Sequence, residues 1–179
     1  MSGRRMNVVD NPWAINAVCA LLVTIHAVTT GLGKVPNVWK DFLDADRGLQ
    51  ASIYLGLLGG AAIVAGFAGV VVVFGLSATS IRFRQLRISG GKSLAANWAS
   101  TSSSGLSATG LSLLASILVP TALLFIAPWL FELAILFIVH SSVRLIWLLR
   151  SIIEVVRIDD IAIMREFNKK SLAELPWHE

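Results

Sequence analysis

The sequence predicts an all-α membrane protein with four transmembrane helices, and three observations support this fold class. Four apolar stretches, at 13–33, 51–76, 106–127 and 129–149, each have the roughly 20 residues that a helix needs to cross the hydrocarbon layer. Hydrophobic residues make up 55% of the chain, and its mean hydropathy of +0.73 excludes an ordinary soluble domain. Basic residues are concentrated in alternate segments outside the stretches, as in multi-pass proteins.

The segments outside these stretches are too short to form a further domain. Each has about 30 residues at most, which is below the size at which a domain folds without disulfides or metal. We therefore divide the chain into a transmembrane bundle at 1–150 and a cytoplasmic amphipathic helix and tail at 151–179. The single cysteine, Cys19, lies in the first stretch and is expected to be a small apolar filler.

The first stretch is expected to remain in the protein as an uncleaved anchor, span one. Arg4 and Arg5 precede it, as in a secretory signal. However, the apolar run continues for about 20 residues, includes Asn16 and ends without a small-x-small cleavage pattern.

The charges between the spans predict the orientation of the chain. The loop at 77–105, between spans two and three, has no acidic residue and carries four basic ones: Arg82, Arg84, Arg87 and Lys92. Short basic loops stay in the cytoplasm, so we expect both termini to be cytoplasmic in the plasma (inner) membrane. The pI of about 9.7 then needs no nucleic-acid partner, because this orientation and the anionic lipid bilayer account for it.

Span two carries small residues on one face, at helical steps of three and four. We call this set the glycine stripe: Ser52, Gly56, Gly59, Ala62, Gly66 and Gly69. Small residues on one helical face allow another helix to approach closely. The stripe is therefore predicted to be a helix-packing face, against span one or three of the same chain or against another subunit.

Span three carries a weakly polar face without charge, which we call the hydroxyl stripe: Thr109, Ser112, Ser116 and Pro120. Two interpretations stay open. The hydroxyls can bond to helix carbonyls and to neighbouring helices, as most do in membranes, or they can line a pore. Pro120 lacks a backbone donor and is expected to kink span three near its middle.

Spans three and four are predicted to form a hairpin, because Pro128 leaves only a tight turn at 127–129. From Trp129 to about Lys170 no glycine or proline interrupts the helical pattern, which corresponds to roughly 60 Å, twice the hydrocarbon thickness. Beyond Arg150, apolar residues recur at helical spacing among charged ones. Span four should therefore continue as a long amphipathic cytoplasmic helix.

Only two ionisable side chains, His26 and His140, lie deep within the spans. The absence of a midplane carboxylate disfavours an ion-coupled transporter or a proton pump. No cofactor and no metal site are expected; haem b is kept as the alternative, because two histidines on different helices are the donor set of a bis-imidazole haem. No residue pattern indicates catalysis, and the chain is not expected to be an enzyme.

Three functional classes follow from these patterns. The first is a homo-oligomeric channel or pore for small ions, with the glycine stripe packing subunits and the hydroxyl stripe lining the lumen. The second is an accessory or assembly subunit of a larger membrane complex. The third is a small b-type cytochrome with His26 and His140 as ligands.

Overall fold

A computed structural model describes residues 12–78 and 81–173, which form helices and short connections and contain no strand. The all-α prediction is therefore confirmed for this part of the chain. The helices are α1 (Pro12–Gly31), α2 (Lys40–Leu43), α3 (Arg47–Ser77), α4 (Ile81–Leu118) and α5 (Ala127–Ala173), with a 3-10 turn at Leu124–Ile126 before α5.

Within the described ranges, three segments are long and apolar enough to cross a membrane: Trp13–Gly31, Arg47–Ser77 and Leu124–Arg165. They correspond to predicted spans one, two and four. The 47 residues of α5 also confirm the prediction of one uninterrupted helix from the membrane segment to beyond residue 170.

The segment between α3 and α4 differs from the sequence prediction. Instead of a loop over 77–105, the chain forms helix from Ile81 onward, because no proline lies between 37 and 119 to remove a backbone donor. Arg84 is exposed on this helix. The side chains of Arg82, Arg87 and Lys92 lie outside the described part of the structure.

The two prolines after α4 also have different roles from those predicted. α4 ends at Leu118, so Pro120 lies in the connection after the helix and does not kink it. Proline disfavours helical geometry in the residue before it and lacks a donor, which is why the helix stops here. Pro128 is the second residue of α5, in the first turn, where a missing N–H costs nothing. The turn of the hairpin is therefore at 119–126.

The helices α3, α4 and α5 form an antiparallel three-helix core. Their buried contact positions recur every seven residues, as in left-handed coiled coils. These positions are Tyr54, Ala61, Ala68 and Gly75 on α3, Thr101, Ala108 and Ala115 on α4, and Ala127, Ala134, Ser141 and Leu148 on α5. Most of these side chains are small, so the three backbones approach closely without a large apolar interior.

Larger side chains at the two ends of the core determine which face of α3 is turned toward the core. At the end near the α2–α3 connection, the ring of Tyr54 lies 5.6 Å from that of Phe42 and 5.0 Å from that of Phe131. At the opposite end, Trp98 packs against Gly75. These contacts bring the face of Tyr54 and Gly75 toward α4 and α5.

Two polar side chains stabilise the connection between α2 and α3 through hydrogen bonds to the backbone. Asp46 caps α3 and accepts hydrogen bonds from the backbone N–H groups of Gly48 (2.8 Å) and Leu49 (3.1 Å). Gln50 is fully buried and donates its amide to the carbonyls of Leu43 and Ala45. This end of the bundle is therefore held in a defined geometry.

Helix α1 packs on the outside of this core, against α4 and α5, and Val23 is its buried apolar residue among those described. Two polar contacts hold it. Near its start, Asn16 Oδ1 accepts a hydrogen bond from Ser104 of α4 (3.1 Å). Near its end, His26 contacts Glu132 of α5 (2.8 Å). In lipid there is little hydrophobic driving force for apolar helices to associate, so these contacts are the main specific attachments of α1.

Candidate functional site

The glycine stripe lies on the face of α3 that is turned away from the core. A Cβ atom added to Gly56, Gly59, Gly66 or Gly69 would meet nothing within 4 Å. The stripe therefore does not pack against another of the described helices of the same chain, which is one of the two predicted alternatives. Packing against another subunit stays a prediction.

Among the described glycines, the two that are in close contact with another helix lie outside the stripe. A Cβ on Gly75 would lie 3.0 Å from the ring of Trp98, and a Cβ on Gly105 would lie 3.0 Å from the Cβ of Ala65. Both distances are shorter than ordinary carbon contacts. Gly75 could have been located from its seven-residue spacing with Ala61 and Ala68, whereas Gly105 is not at the spacing of the core positions given above for α4.

The residues of the hydroxyl stripe range from fully buried inside the bundle to exposed beyond the end of α4. Ser112 is fully buried, and Thr109 donates to the carbonyl of Gly105 on its own helix (3.0 Å). Ser116 is half-buried, and Pro120 is exposed beyond the end of the helix. Thr109 thus follows the first interpretation, whereas the hydroxyl of Ser112 is buried inside the bundle with no hydrogen-bond partner among the described residues. A pore lined by them stays a prediction that would need further copies.

Polar side chains also join α4 to α5, and we call these contacts the polar seam. Arg144 donates to the side-chain oxygen of Asn97 (2.7 Å), and the buried Ser141 donates to the carbonyl of Thr101 (2.8 Å). Together with the Asn16–Ser104 bond, the seam joins α1, α4 and α5 at one end of the bundle. The arginine is therefore engaged with a neighbouring helix as well as being long enough to reach the boundary.

The most polar site within the candidate spans is formed by His26 and Glu132. His26 Nδ1 lies 2.8 Å and 3.0 Å from the two carboxylate oxygens of Glu132, and because a carboxylate can only accept, Nδ1 is the donor. The indole of Trp39 donates to the same carboxylate (3.1 Å). The ring of Trp129 makes an edge contact with the imidazole, with centroids 5.1 Å apart. Three separate segments thus meet at Glu132.

The sequence does not indicate by any motif that His26 and Glu132 form a pair. The available signal was their distance from the ends of spans one and four, since His26 lies five residues before Gly31 and Glu132 three residues after Trp129. Both positions are one to two turns from the adjacent ends of α1 and of predicted span four.

The two histidines lie at different heights along the bundle. His26 is level with Glu132, whereas His140 is eight residues further along α5, a rise of about 12 Å. The Nε2 atom of His140 is buried and has no hydrogen-bond partner. No group of three or more metal-ligating side chains occurs within the described residues. A bis-histidine haem stays a prediction that visible absorption spectroscopy tests.

An apolar groove lies where α5 passes the end of α3. It has a volume of about 590 Å³, and its walls include Phe74 of α3 and four residues of α5: Ile152, Ile153, Val156 and Ile161. Arg157 and Asp160 border it. Further along α5, Ile163 and Met164 are exposed, so the apolar character of this helix continues beyond the bundle.

The chain was compared with known proteins by sequence and by structure. No protein-family profile matches it, and no significant match was found among curated proteins or solved structures.

Proposed function

We propose that this protein is an accessory or assembly subunit that binds another protein within the membrane. The observation that carries the proposal is that α3 turns its glycine stripe outward while α3, α4 and α5 complete their own core. In lipid, a face of small residues makes few van der Waals contacts with acyl chains. Close packing against another helix provides more of these contacts and is therefore favourable.

The groove on α5 supports the proposal independently. At about 1.5 Å per residue α5 is roughly 70 Å long, more than twice the hydrocarbon thickness, so part of it must leave the membrane. Its exposed Ile153, Ile161, Ile163 and Met164 would then meet water unless another surface covers them. A partner that contacts α3 in the membrane and α5 outside it would bury both surfaces.

The proposal includes a topology of four crossings with cytoplasmic termini in the plasma membrane. α4 runs antiparallel to both α3 and α5 and is connected to each by a short segment, so it returns the chain across the same thickness. Its second half turns large apolar residues outward and small ones inward, as a lipid-facing helix does; the outward residues are Leu106, Leu113, Leu114 and Ile117. The basic residues between 82 and 92 favour the cytoplasmic side for the α3–α4 connection.

A homo-oligomeric pore is the competing function. A pore would also use the glycine stripe, to pack its subunits together, but it requires a lumen between copies of the chain. Ser112 is fully buried within one chain and Thr109 is bonded to its own helix, so neither hydroxyl is presented to a lumen between copies, and this favours the assembly-subunit function.

The test is a comparison of Gly59→Leu and Gly66→Leu with Val73→Leu, a matched control on an exposed β-branched residue of the same helix. Each protein is purified from its native membrane in mild detergent, and the mass and composition of the particle are measured. We expect a stoichiometric partner that both glycine variants lose and the control keeps. A particle containing only copies of this chain that conducts ions in planar bilayers would favour the pore instead. A monomeric particle would contradict both functions.

A further inference from the structure

A second cleft lies at the opposite end of the bundle, where α1 ends and α5 begins. It has a volume of about 410 Å³, which is within the range of small-molecule sites. Its walls include Thr30, Asn37, Trp39, Leu43, Phe125 and Trp129. Since Gly31 ends one candidate span and Leu124 begins another, the proposed topology places the cleft at the boundary of the membrane.

Thr30 differs from the other threonines of α1. Thr24 donates to the carbonyl of Ala20 (2.7 Å), and Thr29 donates to that of Ile25 (2.8 Å), as threonines in membrane helices usually do. The hydroxyl oxygen of Thr30 is buried and has no hydrogen-bond partner. Leaving a buried hydroxyl unpaired is unfavourable, so this wall of the cleft is suited to an occupant that offers an acceptor.

Asn37 provides a second donor in the same cleft. Its side-chain oxygen already accepts a hydrogen bond from the backbone N–H of Trp39 (3.0 Å), which leaves the amide NH₂ group as a donor. The rest of the wall is mostly apolar, with Leu43, Phe125 and Ile126. The complementary ligand therefore has oxygen acceptors at one end and an apolar chain at the other.

The His26–Glu132 pair holds the two indoles that form the cleft. Trp39 donates its indole N–H to Glu132 (3.1 Å), and Trp129 packs against His26 with centroids 5.1 Å apart. Because the two rings are fixed by partners behind them, the cleft is formed before any ligand arrives.

We propose that this cleft binds one glycerophospholipid taken from the bilayer. The ester or phosphate oxygens accept hydrogen bonds from Thr30 and Asn37, and an acyl chain lies against Phe125 and Ile126. This inference is independent of the proposed function, because the cleft is formed by the end of α1, the segment through α2, the 3-10 turn and the start of α5, and does not involve the glycine stripe.

The test is native mass spectrometry of the full-length protein in detergent, titrated with dioleoylphosphatidylcholine. Thr30→Val removes the unpaired hydroxyl with little change of shape, and Thr29→Val is the matched control, because that hydroxyl is satisfied by its own helix. We expect one retained lipid in the wild type and the control. Thr30→Val should weaken retention about three- to tenfold, the effect of one ordinary hydrogen bond.

Ala27→Trp, which places a large ring at a lining position, provides a second variant and should abolish the retained lipid. Near-ultraviolet circular dichroism of each variant checks that the fold is kept. Equal retention in Thr29→Val and Thr30→Val would overturn the proposal, as would lipid binding that persists in folded Ala27→Trp. Retention of detergent alone, with no phospholipid bound at saturation, would overturn it as well.

Discussion

A Cβ atom on Gly105 of α4 would lie 3.0 Å from the Cβ atom and 3.2 Å from the Cα atom of Ala65 on α3. The second distance involves backbone, which cannot move without shifting a helix. On its other side, the same Cβ would lie 3.3 Å from the hydroxyl of Ser141 on α5. This one position therefore determines how closely all three core helices approach each other.

We predict that Gly105→Ala destabilises the protein by about 1–3 kcal/mol, because the added methyl group overpacks a contact between backbones. Gly110→Ala on the same helix is the control, since nothing lies within 4 Å of a Cβ there. The free energy of unfolding, measured by reversible titration with SDS in mixed micelles, distinguishes them. Equal stability of the two variants would show that α3 and α4 are not in close contact at Ala65.

The second prediction concerns Gly75 and Gly69 of α3. Gly75→Ala should be destabilising, because its Cβ would lie 3.0 Å and 3.1 Å from ring atoms of Trp98. Gly69→Ala should be neutral or slightly stabilising, because the site is open and alanine favours helix over glycine by up to about 1 kcal/mol. The same unfolding measurement applies. The reverse order of stabilities would mean that the glycine stripe, and not the face of Gly75, is the packed face.

The third prediction is an energetic coupling between His26 and Glu132. A double-mutant cycle with His26→Ala and Glu132→Ala should give a coupling energy of about 1–3 kcal/mol, as expected for a hydrogen bond to a charged group. A parallel cycle with His140→Ala and Glu132→Ala is the control, because about 12 Å of helix rise separates these two residues. Coupling of equal size in both cycles would indicate a nonspecific effect of losing Glu132.

The fourth prediction tests the orientation of the chain in a background with Cys19 replaced by alanine. A cysteine at Ala45, in the α2–α3 connection, should react with a membrane-impermeant maleimide in intact cells. A cysteine at Ser89 should react only after the membrane is permeabilised. Labelling of the cysteine at position 89 in intact cells would refute the proposed topology.

The sequence by itself determined the class of the protein and the extent of its longest helix. Apolar segments of about 20 residues or more need no tertiary information, because the thickness of the hydrocarbon layer sets their length. The same holds for α5, since the absence of glycine and proline from Trp129 to Lys170 is a local property and the helix runs through this range. The end of α4 has an equally local cause, because Pro120 ends the helix instead of producing the predicted kink within it.

Only the tertiary structure decided which small residues are in contact. α3 has small residues on two faces, and a sequence pattern cannot tell the face of Ala61 and Ala68 from the glycine stripe when both are apolar and narrow. The large rings of Tyr54 and Trp98 resolve this ambiguity, because they must be accommodated at the two ends of the core. The His26–Glu132 pair has the same origin: its two residues are 106 positions apart, and only the docking of α1 on α5 brings them together.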